Sequence, residues 1–178
     1  MLTVYLPADK TAWRARSDHG RDFPVGTPGP APKAILRRYQ QAMIDMSADD
    51  LAGLYAADAV HELPFLFPGM PDRLEGREQV RAAYRAAWAA SDAQPQAVRE
   101  VAVHSCTDSG VLVAEQVVSG VLRSTGRRFE FGGVLVLSVR NGQITHARDY
   151  MDGLGVARAL GRLPAVAQAL AQPDTATG

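Results

Sequence analysis

The chain predicts an α+β domain, a cone-shaped, mixed but mainly antiparallel curved sheet with helices across its concave face. Three observations carry this. Helical patterns fill most of the first half after residue 32, four strand-like runs joined by tight turns follow, and a last helical pattern closes the domain. Consecutive strands with short turns make an antiparallel meander. Helices packed on one face of a bent sheet leave a cavity between the layers.

Residues 1–32 form a Pro/Gly-rich segment, with Pro7, Pro24, Pro28, Pro30 and Pro32, and it reads as an extended arm. The domain proper is expected over 33–172, with a short flexible tail at 173–178. From Pro32 onward Ile35, Leu36, Tyr39, Met43 and Met46 recur at steps of three and four, one face of a helix. Ser47 with Asp50 three residues on has the form of a helix cap, so a second short helix should carry Leu51, Leu54 and Tyr55. Residues 58–65, DAVHELPF, read as a strand ending near Pro64. A third helix is expected over 77–91, burying Val80, Tyr84, Ala87 and Trp88. Four strands follow in AVREVAVHSC, VLVAEQVVSGVLR, RRFEFGGVLVLSVR and QITHARDYM. Between the last two stands Asn141-Gly142, a strong two-residue hairpin signal. Leu154, Val156, Ala157 and Leu160 then form a helical pattern, and Pro164 is placed to break it or to start a last short helix.

The bulk properties exclude several function classes. With 178 residues and 47% hydrophobic side chains, the chain can bury a sizeable core. A formal net charge of zero gives no electrostatic reason to expect nucleic acid or an anionic membrane as partner. The lone cysteine, Cys106, lies in an apolar alternating run and reads as a buried structural thiol; no internal disulfide is possible. No run approaches the roughly 20 apolar residues of a membrane helix, and the N-terminal pattern is unlike a secretory leader, so a cytoplasmic location is expected. No phosphate-binding loop, dinucleotide fingerprint or metal-ligand spacing is present, so neither a cofactor nor a metal is expected.

Three segments, RRYQQAMIDMSADDLAGLYAADAVHELPF, LEGREQVRAAY and NGQITHARDYMD, together resemble SnoaL-like proteins of the nuclear-transport-factor-2-like superfamily over about residues 33–163. The resemblance implies the cone-shaped fold and a range of activities: polyketide cyclases, isomerases, dehydratases and other lyases, epoxide hydrolases, and non-enzymatic binding proteins. It also implies a carboxylate in the last strand that acts as acid or base. Asp149 of ARDYMD stands at that place, as the first Asp of WRDYFD does in the limonene-epoxide-hydrolase branch. That branch's Arg and Asp on the long middle strand match Gln116 and Val118 here. In the ketosteroid-isomerase branch, a tyrosine on the first helix matches Tyr39, the base matches Leu63, and the second acid matches a position near Val136. The water-activating set of the first branch and the acid set of the second are thus dismantled. Relatives of this fold commonly pair, and an apolar outer sheet face, expected to show Val and Phe side chains of FEFGGVLVLSV, needs a cover; a homodimer is therefore expected.

Strand alternation then sorts the candidates. If Asp149 faces the cavity, so do Thr145, Ala147 and Met151, while His146, Arg148 and Tyr150 face away. Burial would raise the Asp149 pKa toward neutrality; the alternative is a surface aspartate paired with Arg148 or Arg127. His61 is expected inward with Leu63 and Phe65, either as a satisfied core histidine or as a group that orients Asp149, directly or through one water. Gln116 and Val118 are candidate contacts on the middle strand. Tyr39, Tyr84 and Trp88 are helix-face aromatics that pack the core or line the cavity. The functional expectation is a cofactor-free acid–base enzyme of specialised metabolism, acting by cyclisation, isomerisation or dehydration on a small, apolar, oxygenated or polyketide-like molecule. Asp149 and His61 would be its catalytic pair. An epoxide hydrolase with altered polar residues and a non-catalytic ligand-binding or accessory protein are the alternatives.

Overall fold

Five helices and six strands make up the computed structural model, which describes residues 31–65, 71–106 and 110–171. The predicted arm and tail, and the side chain of Cys106, lie outside the described residues. In chain order the elements are α1 (Pro32–Asp45), α2 (Ala48–Gly53), β1 (Tyr55–Glu62), β2 (Arg73–Glu75), α3 (Arg77–Ala89), β3 (Ala93–Cys106), β4 (Val111–Leu122), β5 (Arg128–Arg140), β6 (Gln143–Met151), α4 (Gly153–Ala159) and α5 (Leu163–Ala171). One sheet has the order β2-β1-β6-β5-β4-β3, antiparallel throughout except where β1 runs parallel to β6. The expected α+β architecture holds. One short element, β2, extends it at the sheet edge, and of the two outcomes expected at Pro164 the structure has the last short helix, α5.

Local chemistry accounts for the ends of these elements. Pro32 opens α1, where a missing N–H costs nothing. Ser47 caps α2 by accepting from the Asp50 N–H, while its own hydroxyl donates to the Asp50 carboxylate at 2.6 Å. Asn141 and Gly142 both have positive φ and join β5 to β6 in the two-residue loop read from the sequence. One boundary differs. Tyr55, expected in the second helix, begins β1, because the Leu54 carbonyl accepts from Ile144 N–H and starts the pairing with β6.

The core has two parts. The larger joins Ile35, Leu36 and Tyr39 of α1, Leu51 of α2 and Val80 and Tyr84 of α3 to Leu112, Leu135, Leu137 and Ile144 of the sheet. The smaller joins Val118, Leu122 and Phe129 to Ala159 of α4. Phe129 and Phe131 therefore point toward the helices, not to the outer face where they were expected. On β4 the even-numbered residues from Leu112 to Leu122 face the helices.

Bulges bend the sheet. Irregularities interrupt β3 at 95–97 and 100–102, β1 between Tyr55 and Val60, and the β5–β6 ladder between Ser138 and Val139. In the last of these Thr145 is the extra residue: Ser138 pairs with His146, and Val139 pairs with Ile144. The shift of phase puts both Ile144 and Ala147 in the core with no exposure. Thr145, expected on the cavity side, instead donates its hydroxyl to the Ser138 carbonyl.

Where β3 bends toward β4, Gly120 is needed for space. A Cβ there would lie 2.2 Å from the Gln94 carbonyl oxygen, 2.8 Å from the Phe129 ring and 2.9 Å from Pro95 Cα. Gly120→Ala must push β3 away or displace the phenyl ring. It is expected to destabilise the fold by about 1–3 kcal/mol, the usual cost of overpacking, read as a lower urea midpoint with unchanged m value.

Candidate active site

A cavity of about 580 Å³ opens between the helices and the concave face, within the roughly 300–1,000 Å³ typical of small-molecule sites. Its walls draw on partners of both core clusters: Met43, Tyr84 and Trp88 from the helical side, Phe131 and Leu160 from the other. Leu63, Met46 and Met151 complete much of the apolar lining, and among the described residues Asp149 and Arg162 are the charged ones that line it. Tyr84 meets Trp88 edge to face, with ring centroids 5.1 Å apart.

Asp149 reaches this cavity because β6 regains its alternation after the Thr145 bulge. Among the described residues no cation or hydrogen-bond donor pairs with its carboxylate. Arg148 points the other way, with His146, and both bond to Glu62 on the outer face, at 3.1 and 2.8 Å. Arg127 is likewise engaged elsewhere, on the Ala159 carbonyl. Burial alone pushes the Asp149 carboxyl up to about 7.

His61 lies behind the wall and has no exposed surface. Its Nδ1 is 2.8 Å from Tyr55 Oη and its Nε2 is 3.2 Å from Tyr84 Oη. Both ring nitrogens are thereby occupied, so the direct His61–Asp149 contact expected from the sequence is not made. Burial, reinforced by the charge of His146 and opposed by Glu62, lowers the His61 pKa to about 4, so the ring is neutral at pH 7. Burial raises the Tyr84 phenol, and the Asp149 charge raises it further.

The other candidates divide. Leu63, Tyr84, Trp88 and Met151 line the cavity with Asp149. Tyr39 is buried behind the wall, with its hydroxyl beside those of Tyr55 and Tyr84. Gln116 accepts from Gln40 Nε2 at 3.2 Å, held by α1 rather than free for a ligand. Val118 packs into the smaller core cluster. Phe65 is 59% exposed and stacks edge-on against Tyr150, away from the cavity, because β1 ends at Glu62 and its alternation stops there. Sequence reasoning missed Tyr55, assigned to a helix, and also Phe131 and Arg162. The six-residue spacing of Tyr55 and His61 carries no periodic signal, since an irregular stretch of β1 lies between them. Among the described residues no cluster of three or more His, Cys, Asp or Glu could hold a metal ion, and no helix is long and apolar enough to cross a membrane.

Residues 36–147 match the SnoaL-like domain, well over half of the chain. The chain belongs to the SnoaL-like domain family. Among its relatives is the uncharacterised Bacillus subtilis protein YesE, 26% identical over 130 residues, 71% of this chain and 84% of that protein. Another is the uncharacterised PhzA/B-like protein PA3332 of Pseudomonas aeruginosa, 30% identical over 140 residues, 76% of this chain and 94% of that one. Among solved structures, a Catenulispora acidiphila protein with a ketosteroid isomerase-like fold, in complex with trimethylamine, superposes with a TM-score of 0.58. It is 20% identical, and the match covers 71% of this chain and 92% of that one, which shows a shared fold. Asp149 lies two residues beyond the stretch matched to the SnoaL-like domain, so the case for it rests on cavity geometry.

Proposed function

We propose that the cavity is a proton-transfer site for a small, largely apolar, oxygenated molecule, and that Asp149 carries the proton in an isomerisation, cyclisation or dehydration. The observation that supports this most is a carboxyl with no partner among the described residues, in a cavity walled mostly by apolar side chains and raised to about 7 by burial. A carboxyl with that value is present in both forms near neutral pH, so it can take a proton and return it. Leu63, Trp88, Phe131 and Met151 would seat a flat apolar body beside it. Side chains alone can carry such a step. A carrier without chemistry would use the same apolar walls, but it has no need of a carboxylate whose burial costs stability. Epoxide hydrolysis has less support, since Gln116 and Val118 do not reach the cavity wall.

The test does not require the natural substrate. Enolisable aryl ketones such as 1-tetralone are incubated with the protein in D2O, and deuterium at the α carbon is followed by mass spectrometry. Exchange above the buffer rate is expected, and Asp149→Asn should return it to that rate. A ¹³C titration placing the Asp149 carboxyl near 4 would sink the proposal.

We further propose that the outer sheet face pairs two copies of the chain. Phe65, Val101 and Leu154 are 59%, 55% and 63% exposed and border one groove with Val117, Val134 and Tyr150. An apolar sheet face of this kind calls for a cover. Sedimentation at micromolar concentration should give the mass of a dimer, and Val134→Asp should give the monomer. A wild-type protein sedimenting as a monomer would count against the pairing.

A further inference from the structure

We propose that Arg162 selects the charge of the molecule the cavity takes: a carboxylic acid, with its apolar body against Trp88 and Phe131 and its carboxylate on the Arg162 guanidinium at the mouth. What happens to the rest of the molecule depends on the proton-transfer reading above; the selection of charge rests on how Arg162 is held.

Arg162 stands at a turn that the sequence builds for it. Gly161 takes a positive φ of 68°, and the Gly161 and Arg162 N–H groups return to the Arg158 and Ala157 carbonyls at 3.1 and 2.7 Å, a left-handed end to α4 that favours glycine. The Arg162 carbonyl then accepts from the Val166 N–H at 3.0 Å within α5. Its backbone is thus fixed on both sides. From this junction the side chain reaches the end of α3, where Nη2 donates to the Ala90 carbonyl at 2.9 Å. That helix end carries partial negative charge, which favours a cation there. Arg162 and Ala90 both line the cavity, between Leu160 on the α4 side and Ser91 on the α3 side. The arginine therefore crosses from one wall to the other, and because it is exposed the crossing lies where the cavity meets solvent.

A guanidinium has five N–H donors in a planar fork, and one of those on Arg162 goes to Ala90. Among the described residues no carboxylate pairs with it and no second acceptor takes from its side chain. Other arginines of the chain are engaged differently: Arg85 pairs with Asp49, and Arg148 with Glu62. Asp149 does not neutralise Arg162 either. Burial alone moves the Asp149 carboxyl, with no lowering by a nearby cation, so the two charges act at separate places in one cavity. A carboxylate suits what remains. It is planar, it carries one charge for one guanidinium, and its two oxygens match two parallel N–H groups. At the mouth it keeps part of its hydration, whereas deeper it would meet apolar walls and Asp149. A phosphate dianion would leave one charge unmatched. The family match ends at residue 147, so Arg162 belongs to a part of the chain that the likeness does not describe.

The test compares 2-naphthoate with 2-naphthamide, which share a shape and differ in charge, by isothermal titration calorimetry on the full chain. The acid is expected to bind about tenfold tighter than the amide. Arg162→Gln should remove the preference, and Arg162→Lys should keep part of it, as a point charge without the planar fork. Loss of the Ala90 bond alone would weaken both ligands alike, so the ratio of the two Kd values separates selection from a merely structural role. No binding of the acid at millimolar concentration, equal Kd values in the wild type, or a preference unchanged in Arg162→Gln would overturn the assignment. Tighter binding of 2-naphthyl phosphate than of the acid would overturn it as well. Asp149→Asn should retain the preference, so a failed acid–base reading and a failed selection of charge give different results.

Discussion

Asp149→Asn is expected to lower turnover on a proton-transfer substrate by about 10²–10⁴, the usual worth of a positioned general acid or base, while leaving the fold intact. The amide is nearly isosteric with the carboxyl, and no hydrogen bond or ion pair among the described residues is lost with it. The pH profile makes the result specific. Burial holds the carboxyl at about 7, so a limb of kcat/KM in the wild type should bend near that value. If Asp149 acts as base, the rate rises with pH through the bend; if it acts as acid, the rate falls. The limb should vanish in Asp149→Asn. A variant retaining activity within threefold of wild type would remove Asp149 from the chemistry.

The stability of the protein between pH 4 and 8 should reveal two opposed titrations. Asp149 has a folded pKa of about 7 against an ordinary 3.8. Its folded state holds the proton more tightly, so stability is fully present below about 4 and is lost as pH rises through about 7. A shift of this size corresponds to roughly 4 kcal/mol, and water entering the cavity should reduce it to about 1–3 kcal/mol. His61 has a folded pKa of about 4 against 6.5, so its stability is present above 6.5 and is lost as pH falls toward 4. In the wild type the two slopes offset each other across that window. Asp149→Asn removes one of them. The variant should exceed the wild type in urea stability at pH 8, then lose up to roughly 3 kcal/mol on acidification from pH 6.5 to 4, while the wild type changes much less. Parallel curves for the two proteins would show that burial does not set the carboxyl.

Much of the fold was legible because its signals are local. The three- and four-residue spacing in α1 and α3, the Ser47 cap and the Asn141-Gly142 loop each state their own conformation, and the structure has them. Asp149 was legible in position, since the alternation of Ala147, Asp149 and Met151 runs unbroken to the end of β6. Its partners were not. Phe65 was placed inward by extending the alternation past Glu62, where the strand has already ended. Gln116 does face the helices, as its parity on β4 requires, yet Gln40 on α1 holds it. Tyr55 was hidden because its meeting with His61 depends on an irregular stretch of β1 that no periodicity announces. That stretch is fixed by contacts distant in sequence: the Arg77 side chain donates to the Tyr55 carbonyl, and the Gly76 N–H donates to Ala59.

The extra residue at Thr145 makes the length of β6 as consequential as its composition. The strand carries two runs of inward side chains in opposite parity, ending at Ile144 on one side and resuming at Ala147 on the other. Without Thr145 the two runs would fall into one phase, with Ile144 and Ala147 two positions apart on the inner face, so that single deletion leaves the inner and outer chemistry of β6 in place. A deletion at Arg148 would act differently: Asp149 would follow Ala147 directly, take the outward place and leave the cavity. Point substitutions alter one contact each, whereas a change of length beyond Ala147 moves the carboxyl to the other face of the sheet. Drift there is thus expected to proceed by replacement and to avoid insertions and deletions.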